Sequence, residues 1–218
     1  GAQEKSLPIW KGVVQQQPEF AWGHLKYGVT LFHLQKNKEA FQSLSKAIEL
    51  DPQNPLGFHE RAFVSLRWKD YAAAKKDLDR CIQLAPKFDL AYNTRGVVKW
   101  KMKDLRGAIR DFTEAIQQNP KNAAAYLNRG MMRQETNNLG GSLQDINAAL
   151  RLSPSWARAY LERGKTRAYQ KLFEEAKKVG MEKYFVTTQV SPKEYVQIIE
   201  NYLITLDKIG KDIKQLRR

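Results

Sequence analysis

Five prolines, Pro18, Pro52, Pro86, Pro120 and Pro154, stand 34 residues apart, and that spacing constrains the fold more than any other property of the chain. A period of this length is what a stacked supersecondary unit leaves in a sequence. The last four prolines close the apolar-periodic stretches AIELDP, CIQLAP, AIQQNP and ALRLSP. Proline lacks an amide hydrogen and clashes with the preceding turn, so each predicts a helix end. Full units then start near Ala21, Pro55, Asp89, Ala123 and Ala157. The 218 residues thus read as about six repeat-sized segments rather than one or two conventional domains.

Each unit divides into two helix-sized halves. In the first half, small residues recur at Gly28, Ala62, Gly96, Gly130 and Gly164. Each follows by four a mostly aromatic position, His24, Phe58, Tyr92, Tyr126 and Tyr160, and that spacing puts both on one helical face. In the second half, Ala40, Ala74, Ala108, Ser142 and Ala176 are followed seven residues on, in the first four units, by Ala47, Cys81, Ala115 and Ala149. Leu44, Leu78, Phe112 and Ile146, then Ile48, Ile82, Ile116 and Leu150, supply the bulk between the small positions. Such faces predict helix pairs interlocking large into small.

In period, in the aromatic, small and aliphatic order, and in the closing proline, these residues resemble the tetratricopeptide repeat (TPR) family. The resemblance is close from Ala21 to about Ala176. It implies an all-α, right-handed superhelical solenoid of antiparallel helix pairs. Residues 1–20, with Leu7, Trp10, Val13 and Pro18, read as a partial or degenerate N-terminal repeat helix. Repeats are expected at 21–54, 55–88, 89–122 and 123–156, with a divergent fifth at 157–190, where Gly180, Lys183 and Thr188 depart from the pattern. Ser191-Pro192-Lys193-Glu194 has the signature of a helix start, and Tyr195, Ile199, Tyr202, Leu206, Ile209, Ile213 and Leu216 form an apolar stripe after it. Residues 191–218 are therefore expected to form an amphipathic capping helix, or alternatively a seam through which two copies associate.

The composition excludes several functions. No run of about 18 apolar residues is present, so the sequence predicts no membrane-spanning helix. The lone cysteine, Cys81, rules out an internal disulfide and falls on a small-residue core position. Of three histidines, His24 lies in the aromatic column and is read as structural. His33 and His59 alone make a weak metal signal. With neither a phosphate-cradling glycine loop nor a nucleophile elbow, no catalytic residue, metal or cofactor is assigned; Gly140-Gly141 is read as a helix–helix turn. The start Gly1-Ala2-Gln3 fits a tag scar or a removed leader, which leaves cytoplasm and export both open.

Charge is informative mainly through its placement. Arg61, Arg95 and Arg129 precede Asp77, Asp111 and Asp145 by sixteen residues, and the first unit lacks both charges, carrying Tyr27 and Ser43. Joint loss argues for structural ion pairs between a unit's two helices, and leaves Arg163 without a partner because Val179 replaces its aspartate. The net charge of +14 is spread over the units, densest at Arg158, Lys165, Arg167, Lys171, Lys177, Lys178 and Lys183, then at Lys99, Lys101, Lys103, Arg106 and Arg110. These are solvated faces or, alternatively, sites for nonspecific RNA or anionic-membrane binding.

The resemblance further implies that the first helices line a concave groove for an extended or helical peptide. Those positions hold Trp22, Leu25, Val29, Phe32 and His33; then Leu56, His59, Phe63, Leu66 and Arg67; then Leu90, Asn93, Val97, Trp100 and Lys101. Ala124, Leu127, Met131, Gln134 and Glu135 follow, and finally Arg158, Leu161, Lys165, Ala168 and Tyr169. The row runs from apolar to basic. It is either covered by the chain's own ends or is a peptide groove, with Leu25, Val29, Phe32, His59, Phe63, Asn93, Val97, Trp100, Lys101, Leu127, Met131, Arg158 and Lys165 as its contacts. The expected function is a noncatalytic adaptor or assembly scaffold for an acidic or amphipathic peptide or helix of a partner protein. Family members that hold chaperone C-termini use a lysine and asparagine clamp. Here Leu25, Val29, His59 and Phe63 stand where it would begin, with only Asn93 and Asn128 as remnants, which argues against that ligand.

Overall fold

The structure is a computed structural model that describes residues 2–178. Among the described residues it consists of helices: α1 (Ala2–Gln16), α2 (Ala21–His33), α3 (Asn37–Leu50), α4 (Pro55–Arg67), α5 (Tyr71–Leu84), α6 (Asp89–Lys101), α7 (Leu105–Gln118), α8 (Ala123–Glu135), α9 (Leu139–Leu152) and α10 (Ala157–Lys178). The chain divides into two compact units, one ending at Pro120 and the other beginning at Lys121. The expected capping or dimerising helix at 191–218, and the divergent positions Gly180, Lys183 and Thr188, lie outside the described residues.

Unit 1 stacks α1 against α2 and then pairs α2 with α3, α4 with α5 and α6 with α7. Local chemistry sets the ends of these helices. Asp70 and Asp104 cap α5 and α7 by accepting a hydrogen bond from the third amide beyond, Ala73 N at 3.0 Å and Gly107 N at 2.8 Å. Asn54 caps α4, with Pro55 at the first helical position. Between the helices of each pair, the chain reverses through a left-handed residue, Gln35, Lys69 or Lys103, with φ of 62–67°. The amide of the residue after it bonds back five positions, as from Asp70 N to Ser65 O at 2.9 Å. That bond satisfies a carbonyl the helix end would otherwise leave open.

The interlocking faces meet as the sequence predicts. Leu25, Leu31, Ala40, Leu44, Ala47 and Val64 form one buried cluster, and Ala62, Ala74, Leu78, Cys81, Ala91 and Val98 the next. Glycine is needed at position 96 because a Cβ there would stand 2.6 Å from Cε1 of the fully buried Phe112. Arg61 donates through Nε and Nη2 to both carboxylate oxygens of Asp77 at 2.8 Å, and Arg95 does the same to Asp111 at 2.9 and 2.8 Å. Each arginine also reaches back sixteen residues to the preceding second helix: Arg61 Nη1 to Ser45 Oγ at 3.1 Å, and Arg95 Nη1 to Asp79 at 2.8 Å. One side chain therefore staples three helices.

Unit 2 pairs α8 with α9 and packs α10 on both, around Leu127, Ile146, Ala149, Leu150 and Ala159. Arg129 chelates Asp145 at 2.9 and 2.7 Å. Two expectations are corrected here. Gly140 and Gly141 lie in the first turn of α9 rather than in a connection, because Asn138 caps the helix by accepting from Gly141 N at 2.9 Å and the reversal occurs earlier, at Asn137 with φ of 60°. Arg163, expected to lack a partner, donates to Asn147 Oδ1 at 3.3 Å, the same backward reach of sixteen residues. The unit also holds an unforeseen feature: α10 runs 22 residues, through the point where the other pairs turn. The lattice positions of the left-handed residue and the N-cap fall here on Lys171 and Leu172. Leucine supplies no capping oxygen, but neither does Lys36 at the same position before α3, so the missing cap does not by itself account for the longer helix.

Candidate functional site

In unit 1 the first helices α2, α4 and α6 carry the row of positions singled out in the sequence. Val29, Phe32, Phe63, Asn93, Val97 and Trp100 are half-buried and Lys101 is exposed, so all seven present surface. Leu25 and His59 do not. Both are 4% exposed, which removes them from direct contact with a ligand. Leu25 belongs to the cluster that joins α2 to Val64 of α4. His59 is packed between the rings of Phe63 and Phe88, each with its centroid at 5.0 Å. Its Nε2 lies 3.3 Å from Thr94 Oγ1 on α6, and its Nδ1 lies 3.2 Å from Glu60 Oε1. His59 thus ties α4 to α6 and holds Phe63 edge-on; it positions the face rather than forming it.

The aromatic residues of the face are coupled across helices. Phe32 of α2 and Phe63 of α4 have centroids 6.4 Å apart, within the range for attractive ring pairs. The exposed guanidinium of Arg67 lies over Phe32 at 5.3 Å, and the Lys101 ammonium lies over Trp100 at 4.2 Å. Near the start of α2, Lys26 lies over Trp22 at 4.4 Å. These cation and ring contacts are worth about 0.5–1 kcal/mol each at exposed sites. Reading the sequence did not single them out, although His33, Arg67 and Lys101 occupy one lattice column at 34-residue spacing.

Unit 2 carries the corresponding positions on α8 and α10. Leu127 is 1% exposed, in the cluster with Ile146 and Ala159, so it too is core rather than contact. Met131 is half-buried, and the exposed Arg158 donates from Nη2 toward its Sδ at 3.8 Å. Lys165 is exposed and pairs with Glu162 at 3.0 Å. These are adaptable, solvent-facing groups.

The remaining chemistry-bearing residues serve the fold. Cys81 is fully buried, and burial, aided by the Glu60 charge, pushes its thiol up to about 12, so it holds no thiolate at neutral pH. Burial opposes ionisation of Asp79, but hydrogen bonds from Lys75 and Arg95 outweigh it and hold its carboxyl below the usual range. His24 Nε2 lies 2.9 Å from Pro18 O and so pins the loop that precedes α2. Among the described residues no group of three His, Cys, Asp or Glu is placed to hold a metal ion, and no helix is long and apolar enough to cross a membrane.

Stacked helix pairs of 34 residues, closed by proline and joined through interlocking small and large side chains, define an α-helical repeat protein. The chain belongs to the tetratricopeptide repeat family: its sequence matches tetratricopeptide repeat profiles over residues 23–54, 58–88 and 93–155. Proteins of this family are in general noncatalytic scaffolds for protein–protein interaction. No curated protein sequence matches the chain. Among solved structures it is similar to MamA (residues 41 to the end) from Desulfovibrio magneticus RS-1, with 19% identity and a TM-score of 0.63 over 72% of this chain and 89% of that one. It is also similar to YrrB, described as a TPR protein with an unusual peptide-binding site, with 20% identity and a TM-score of 0.60 over 74% and 84%. The first TPR of Spaghetti (RPAP3), bound to the HSP90 peptide SRMEEVD, shares 26% identity and a TM-score of 0.51 over 52% of this chain and 90% of that one.

Proposed function

We propose that this chain is an adaptor that captures a peptide or helical segment of a partner protein on the first-helix face of unit 1. The observation that carries the reading is the row of half-buried apolar side chains Phe32, Phe63, Val97 and Trp100, drawn from the first helices of three successive repeats, with the Phe32 and Phe63 rings in contact. A row of partly exposed rings held in place by buried neighbours is what an apolar anchor on a ligand needs, since little ordering remains to be done on binding. Two of the similar structures are described with a peptide-binding site or a bound peptide, which supports a peptide as the ligand class. With Leu25 and His59 in the core, the contact set of the unit 1 face narrows to Val29, Phe32, Phe63, Asn93, Val97, Trp100 and Lys101.

The test is selection of peptides from a displayed random 12-residue library on the immobilised chain. Binding of the selected peptides is then measured to the chain and to its Phe63→Ala/Trp100→Ala variant. Both side chains are half-buried, so the variant is expected to keep its far-UV circular dichroism and to lose at least about tenfold in affinity, as hot-spot aromatic residues do. Selected peptides that bind both proteins equally would refute the face.

A further inference from the structure

Building on that reading, we infer that the ligand of the unit 1 face is an acidic amphipathic peptide. Its carboxylates are received by Arg67 and Lys101, and its apolar side chains lie between them against Phe63 and Val97. The carboxylates of unit 1 are unevenly placed. Between first and second helices the half-buried cations are neutralised: Arg61 by Asp77, Arg95 by Asp111 and Asp79, and Lys99 by Asp111, all at 2.8 Å. On the open face Arg67 and Lys101 have no carboxylate within 4.0 Å among the described residues, and each rests on a ring instead. The ring fixes the cation without consuming its donors, so a guanidinium fork and an ammonium remain available to an incoming anion.

Spacing sharpens the match. Arg67 and Lys101 occupy the same position in consecutive units, and α4 contacts α6 directly through His59 and Thr94 at 3.3 Å. Helices that meet only through such side-chain tips stand at or just beyond the upper end of the packed range, about 10 Å between axes. Two acidic residues three apart on an extended peptide span about 10 Å, and two residues seven apart on a helix span about 10.5 Å. An acidic pair at one of these spacings, flanking aliphatic or aromatic residues, fits both cations together with the apolar floor.

Other occupants fit less well. Residues 191–218 of the chain carry six basic and four acidic side chains, so they do not complement the two cations. A second copy brings the same +14 charge and is repelled. Single-stranded nucleic acid needs open aromatic faces for base stacking, whereas Arg67 and Lys101 lie over the Phe32 and Trp100 rings.

The experiment uses the same displayed 12-residue library, now comparing the chain with its Arg67→Gln/Lys101→Gln variant. Peptides selected on the chain are expected to carry Asp or Glu three or seven residues apart around apolar residues. They should bind the charge variant about five- to tenfold more weakly, the scale of two exposed ion pairs, and weaken with added salt. Selected peptides without acidic residues, or with affinity unchanged in the charge variant, overturn the acidic assignment. If such peptides still lose affinity to Phe63→Ala/Trp100→Ala, the face stands and only its charge preference fails. If they do not, the face itself fails. Displacement of the peptides by oligouridylate, with the same loss in the charge variant when oligouridylate is bound alone, also overturns the assignment and gives the cations to nucleic acid.

Discussion

The interlock between helices can be tested at its tightest point. Gly96 of α6 faces Phe112 of α7, and a Cβ at 96 would stand 2.6, 2.8 and 3.0 Å from three ring carbons of a side chain with no exposed surface. Gly96→Ala must therefore displace the ring. Overpacking of this kind costs about 1–3 kcal/mol, and the helix propensity of alanine returns about 1 kcal/mol, so a net loss of about 0–2 kcal/mol is expected. Phe112→Leu alone leaves a partial cavity and should cost about 1–2 kcal/mol. The neighbouring pair already uses the alternative combination, with Ala62 and Leu78 buried in one cluster. The double variant Gly96→Ala/Phe112→Leu copies that arrangement and should be more stable than the sum of the two losses by about 1 kcal/mol or more. Urea unfolding followed by circular dichroism gives the four stabilities of the cycle. Additive losses within about 0.3 kcal/mol would show that the two positions do not interlock, and the packing argument would be wrong.

Further predictions concern the staples and the buried thiol. Arg95→Gln leaves Asp79 and Asp111 without their shared guanidinium, although Lys75 still holds Asp79 and Lys99 still holds Asp111. It should cost about 2–3 kcal/mol, whereas Arg163→Gln, which loses one 3.3 Å bond to Asn147, should cost under about 1 kcal/mol in the same urea assay. For Cys81, ionisation moves from an ordinary 9.0 to about 12 on folding, so its stabilising contribution is complete below pH 9 and is lost progressively as pH rises toward 12. Comparison with Cys81→Ala should show the native protein losing more stability between about pH 8 and about pH 10.5. Equal losses in the two proteins would mean that the thiol is not shielded.

The fold was legible because its signals repeat. The prolines follow the helix ends at Leu50, Leu84, Gln118 and Leu152 by two residues, and the sixteen-residue spacing of Arg61 to Asp77 is a bidentate ion pair. The backward reach of the same arginines is not evident from the charges alone, although Ser45, Asp79 and Asn147 form a polar column on the lattice. Pairing within a unit suffices to explain the charges, so nothing in their spacing points to a second acceptor. The face was legible only in part. Leu25, His59, Asn93 and Leu127 share one lattice column, yet three are buried and Asn93 is half-buried. Burial in that column depends on the neighbouring helices, which periodicity alone cannot report. The length of α10 has no such signal, because Lys36, at the position equivalent to Leu172, also lacks a capping oxygen and yet precedes the start of α3.

The central claim is that a partner polypeptide lies on the first helices of unit 1. Photo-crosslinking from single positions tests it most directly, with p-benzoylphenylalanine replacing Val97 on the face or the exposed Gln83 on α5, in the presence of the library-selected peptides. Crosslinks formed from position 97 and not from position 83 are the predicted result. Crosslinks from position 83 with none from position 97 would place the ligand elsewhere and contradict the account.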